Sequence, residues 1–126
     1  MPKHRKPSDE DTMEVIYIAG PFRAKSAWDV EQNIRRAEEL ALTLWRMGYA
    51  VICPHTNTRF FTGAARDDIW LKGDIAIMLR CDAVMMVSGW ERSQGAIKER
   101  ALATLNDIPV FEDTIQLQAW ALPKTT

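Results

Sequence analysis

Short apolar runs that show no polar alternation, separated by segments of helical periodicity, constrain this chain more than any other feature. Val15-Ile16-Tyr17-Ile18-Ala19 is β-branched or aromatic almost throughout and stops at Gly20-Pro21. A strand with no polar face must be covered on both sides. Val30, Ile34, Ala37, Ala41 and Leu44 then recur at intervals of three and four, with Arg35 and Glu39 on the opposite side as an i,i+4 pair, which predicts an amphipathic helix. Met47-Gly48 suits its C-terminal end. Tyr49 to Cys53 reads as a second strand, stopped by Pro54, and His55 to Arg66 as a loop. Asp67-Asp68 can open a second helix with Leu71, Ile75, Met78 and Leu79 as its buried face. Ala83 to Val87 is a third strand and Ser88 to Arg92 a loop. Ser93 is a cap for a third helix running to about Asn106, Pro109 to Phe111 a fourth strand, and Ile115 to Ala121 a last helix.

Strands alternating with helices in this way predict an α/β fold: a flavodoxin-like or Rossmann-like three-layer sandwich. Its parallel sheet has four or five strands in the order 2-1-3-4, with helices on both faces. The 126 residues suffice for one domain. Residues 14–122 are expected to form it, with residues 1–13 as a disordered tail. Sixteen basic residues against seventeen acidic ones leave a net charge of −1, too little positive field for a nucleic-acid polymer. No stretch reaches the length of apolar sequence that spans a bilayer. Cys53 and Cys81 form no disulfide framework and lack the neighbours of a zinc site, so the expected home is a reducing cytoplasm, with no metal and no cofactor.

In open parallel sheets a ligand lies beyond the carboxyl ends of the strands, where the strand order reverses. For the order 2-1-3-4 the relevant loops are Gly20 to Ser26 and Ser88 to Gly95. The first offers Gly20 for close backbone approach and Arg23 as a planar anion ligand. The second ends in Ser93-Gln94-Gly95 at a helix start, where backbone N–H groups, a hydroxyl and the helix dipole together suit an anion. A phosphorylated small molecule fits both, although neither loop is a Walker A or a dinucleotide fingerprint.

Two carboxylates stand out by their neighbours. Asp74 has Trp70, Leu71, Ile77 and Met78 three and four residues away, and Glu99 has Gly95, Ala96, Leu102 and Ala103. An acid on such a face is raised in pKa, paired from another element, or functional. The plain alternatives are a solvent-facing Glu99 beside Lys98 and Arg100, and an Asp74 paired with a distant arginine. A pair of carboxylates flanking a sugar carbon suits glycosyl chemistry, one attacking the anomeric carbon and the other donating a proton to the leaving group.

Tyr17-Ile18-Ala19-Gly20-Pro21-Phe22, Cys53-Pro54-His55, Asp74, Cys81-Asp82-Ala83-Val84 and Ser93-Gln94-Gly95 with Glu99 together resemble the nucleoside 2-deoxyribosyltransferase superfamily, including its 2′-deoxynucleoside 5′-monophosphate N-glycosidase branch. The likeness spans Val15 to Phe111. It implies a flavodoxin-like homo-oligomer, a dimer or dimer of dimers, that cleaves the N-glycosidic bond of a nucleoside or nucleotide without metal. By the same resemblance Glu99 is the nucleophile that forms a glycosyl ester, Tyr17 orients it, and Asp74 is the general acid or sugar-orienting group. Gly20, Pro21, Phe22, Arg23, His55, Ser93 and Gly95 become the substrate-binding set. The transferases tend to carry an acid where Ser93 stands, and the monophosphate hydrolases a phosphate-binding serine, so a nucleoside 5′-monophosphate is the implied substrate and water the acceptor. Arg100 and Ala101 depart from the apolar residue and glycine that often follow the nucleophile in the family. Trp28, Phe60, Phe61 and Trp90 are candidates to stack on a base. Base exchange between deoxyribonucleosides is the nearest alternative, and a non-catalytic nucleotide-binding module the alternative from another class.

Overall fold

The computed structural model describes residues 13–61 and 63–121. The expected tail falls almost wholly outside these residues. Strands β1 (Val15–Ala19), β2 (Ala50–Ile52), β3 (Ala83–Met86) and β4 (Val110–Phe111) form one sheet in the order β2-β1-β3-β4. All pairings are parallel; Ile16 lies opposite Val51 and Ala83, and Tyr17 opposite Val84. The order 2-1-3-4 is therefore the observed one.

Helices cover both faces because successive residues of β1 point to opposite sides. Ile16 and Ile18 pack with Ala37, Ala41 and Leu44 of α1 (Ala27–Arg46) and with Leu117 and Ala121 of α5 (Thr114–Ala121). Tyr17 and Ala19 pack with Met78 of α3 (Asp67–Met78) and with Ala96 and Ala103 of α4 (Gln94–Leu105). The protein is thus a three-layer α/β sandwich with β1 at its centre. Ser26 caps α1 by accepting the Asp29 amide, and Gly48 beyond its end has φ 100°, a left-handed conformation in which glycine is unstrained.

Four local expectations need correction. Residues 54–57 form a short helix, α2 (Pro54–Asn57); Pro54 starts it, since a helix's first position needs no amide donor. Residues 90–92 form a 3₁₀ turn. Arg35 pairs with Glu31 at 3.3 Å, one turn before it, instead of Glu39. On α3, Leu71 is 51% exposed, and Met78 is the fully buried residue of the expected face. The apolar residues of that helix are spread around its axis and interrupted by Lys72, Gly73 and Asp74, so periodicity could not orient it.

Candidate functional site

The loop that follows β1 is fixed from two sides. His55 of α2 is buried, and its Nε2–H donates to the Pro21 carbonyl at 2.8 Å; a carbonyl only accepts, so the proton of the neutral ring is on Nε2. Burial holds this imidazole below its usual pKa, against the opposing effect of the Pro21 and Gly20 backbone. Asn33 of α1 donates to the Phe22 carbonyl at 3.1 Å, and the Phe22 ring stands edge-on to His55 at 5.9 Å. His55 thus engages the backbone of the loop that presents Phe22 and Arg23. The sequence pattern overlooked Asn33, although its place three after Val30 and four before Ala37 puts a polar residue on the buried stripe.

Gly20 is needed for a neighbour within the chain. A Cβ there would lie 2.5 Å from the Val87 Cβ, so the glycine lets β1 leave the sheet against the end of β3. Arg23 is exposed and donates through Nη2 to Asp67 Oδ2 at 2.7 Å, a partner that the helix-dipole role assigned to Asp67 did not reveal.

At the start of α4 the Ser93 Oγ accepts the Ala96 amide at 3.1 Å, and the Ser93 carbonyl accepts the Ile97 amide. The cap leaves the serine O–H as a donor, and helix geometry leaves the first amides, those of Gln94 and Gly95, to solvent or a ligand. A Cβ on Gly95 would touch only Ser93 Oγ, at 3.9 Å.

Below this rim lie Tyr17, Glu99 and Asp74. The fully buried Tyr17 donates its phenol O–H to Glu99 Oε2 at 2.6 Å, from β1 to the middle of α4. Among the described residues no cation pairs with Glu99 or Asp74. Burial pushes the Glu99 carboxyl up to about 7; the Tyr17 hydrogen bond opposes the rise and the charge of Asp74 adds to it. Burial alone lifts Asp74 to about 6. Burial, then the charge and hydrogen bond of Glu99, then the charge of Asp74, keep Tyr17 a phenol far above its ordinary range. Both carboxylates therefore act on one tyrosine, and the charge of Asp74 acts on Glu99. Two interacting acids that titrate near neutrality, beside a fixed proton donor, are equipped for nucleophilic and acid–base chemistry.

The aromatic candidates separate. Arg100 lies over the Trp90 ring at 4.8 Å and reaches Glu112 at 3.3 Å, which gives the arginine after Glu99 a structural task. Phe60 sits under Arg59, and Trp28 is 70% exposed. Phe61 packs on Trp70 at 5.6 Å, and Trp70 stands one helical turn before Asp74. A cleft of about 340 Å³ opens beside Arg36 and Leu40 of α1, Val87 and Ser88 after β3, and Thr114 of α5; it takes in the start of the loop Ser88 to Gly95 but none of the individual residues expected to bind substrate.

Residues 14–112 match the family described as Domain of unknown function (DUF4406). The chain belongs to this family. The match contains Tyr17, Asp74, Ser93 and Glu99 and ends before α5, so the DUF4406 segment holds the whole constellation. No curated protein was found to match the chain. Among the described residues no three His, Cys, Asp or Glu side chains gather as a metal site, and no helix is long and apolar enough to cross a membrane.

Proposed function

We propose that the chain hydrolyses the N-glycosidic bond of a nucleoside 5′-monophosphate through a covalent glycosyl–Glu99 intermediate. The observation that carries this reading is the 2.6 Å bond from the buried Tyr17 to Glu99, beside a second carboxylate, Asp74, that meets no cation among the described residues. A tyrosine so placed holds one carboxylate oxygen and leaves the other, Oε1, for attack.

The 5′-phosphate lies between Arg23 and the Ser93 end of α4, and the sugar runs inward. Glu99 Oε1 bonds to C1′ as the C1′–N bond breaks, its electron pair goes to the base nitrogen, and Asp74 supplies the proton. Water then gives a proton to Asp74 and attacks C1′; the ester C–O bond breaks, Glu99 is restored, and free base and sugar 5-phosphate leave. With the Glu99 carboxyl at about 7 and Asp74 at about 6, the pair loses its protons one after the other near neutrality. The Tyr17 hydrogen bond opposes the rise of Glu99; with Glu99 still above Asp74, attack draws on the form that carries the charge on Glu99 and the proton on Asp74, which the bound substrate must select.

The free thiols Cys53 and Cys81 accord with a cytoplasmic enzyme, and a second subunit is proposed to complete the crevice of so small a sheet. The test is incubation with a panel of nucleosides and 5′-monophosphates, with free base measured by chromatography. Base release from monophosphates is expected, and a new nucleoside formed when a second base is added would assign base exchange instead. Tight nucleotide binding without any base release would make the chain a binding module.

A further inference from the structure

Arg23 is the cation that the phosphate needs, yet an acid of the same chain already holds it. Pro21 and Phe22, just before it, are pinned by His55 and Asn33, whereas the Arg23 side chain is 67% exposed and bonds Asp67, itself 54% exposed, through one nitrogen. The contact joins the loop after β1 to the first residue of α3, and four of the five guanidinium N–H groups stay outside it.

The place of the pair matters. Asp67, Trp70 and Asp74 follow one another at spacings of three and four, so they share a stripe of α3 and the pair sits about 10 Å, two turns, before Asp74. On α4, Ser93 precedes Glu99 by about 9 Å. Both helices thus set one end at a similar distance from a carboxylate, and Asp67 is the acid that already holds Arg23 where a phosphate would bind it. It is not required to complement the dipole of α3, because Asp68 stands beside it in the first turn.

We propose that Asp67 is a specificity-determining residue: an internal anion that occupies Arg23 and gives way only to a phosphate. This rests on the nucleotide reading of the site. A phosphate dianion takes two parallel N–H groups of a guanidinium and outcompetes a single exposed carboxylate contact, while weaker anions do not. Asp67 therefore raises the threshold for every anion at Arg23 and leaves the chemistry at Glu99 untouched.

The experiment compares the full chain with Asp67→Asn, using inorganic phosphate as the binding probe and a nucleoside 5′-monophosphate and its nucleoside as substrates. Circular dichroism checks the fold, and Asp67→Glu serves as a second variant that keeps the acid. Asp67→Asn is expected to bind phosphate about three- to fivefold more tightly, the ratio an exposed ion pair corresponds to. The monophosphate KM should fall by the same factor, with kcat and the nucleoside KM unchanged. Asp67→Glu should stay near wild type, and in an Arg23→Ala background Asp67→Asn should change nothing. Phosphate affinity that is unchanged or weaker in Asp67→Asn overturns the role of Asp67. Absence of base release from any nucleotide by wild type overturns the glycosidase reading instead, and phosphate affinity then still decides for or against Asp67.

Discussion

At the scale of single residues, the contact between Tyr17 and Glu99 governs the site. A hydrogen bond to a charged group contributes about 1.5–3 kcal/mol, and Tyr17→Phe removes this one while keeping the buried ring that packs against Met78 and Val84. The variant is expected to fold and to lose about tenfold to a hundredfold in kcat. Because the bond lowers the Glu99 pKa, its loss should also move the acidic limb of the pH–rate profile to higher pH. A variant with wild-type kcat and an unmoved limb would show that the phenol only fills space. No local pattern announces the contact; the resemblance alone implied that Tyr17 orients Glu99. Glu99 was conspicuous through its apolar helix neighbours, whereas Tyr17 was by pattern one more strand residue and was singled out only by the resemblance; they lie 82 positions apart, a separation that no local pattern bridges.

At the scale of elements, the strands were legible because a run such as Val15–Ala19 has one packing solution, burial on both faces. The helix from Gln94 was legible for a similarly local reason, since Ser93 caps it. What stayed hidden depended on neighbours from elsewhere in the chain. Pro54 looked like a stop and is a helix start, α3 shows no clear apolar face, and Asp67 reads as a helix-end acid until Arg23 is brought to it across 44 positions. Gly20 belongs to the same group: the neighbour that requires it, Val87, follows β3. Gly20→Ala would press a Cβ to within 2.5 Å of Val87, so the ends of β1 and β3 must part, at a cost of about 1–3 kcal/mol. Thermal unfolding should show a drop of several degrees. An unchanged Tm would mean that the two strand ends separate freely, and that Gly20 answers to something other than Val87.

At the scale of the whole molecule, the raised carboxyls tie stability to pH. With Glu99 at about 7 in the folded chain and 4.5 as its ordinary value, the folded state binds more protons than the unfolded state between those limits. Unfolding free energy then falls as pH rises through that window, by on the order of 3 kcal/mol for this group. Glu99→Gln removes the titration and keeps an acceptor for Tyr17. It should therefore be more stable than wild type at pH 8 and converge with it near pH 5. A constant difference in Tm across that range would contradict burial of the Glu99 charge.

The sheet order, the helices on both faces and the two carboxylates were readable from residues 15 to 111; of the hydrogen bonds that build the site, only that of Tyr17 to Glu99 was implied, by the resemblance, and those of His55, Asn33 and Arg23 were hidden because they join separate parts of the chain. The most direct measurement is release of free base from a nucleoside 5′-monophosphate by wild type and by Glu99→Gln, followed by chromatography. The expected result is turnover in wild type and a loss of about a thousandfold or more in the folded variant, since its amide cannot form the ester. Equal rates in the two proteins would contradict Glu99 as the nucleophile.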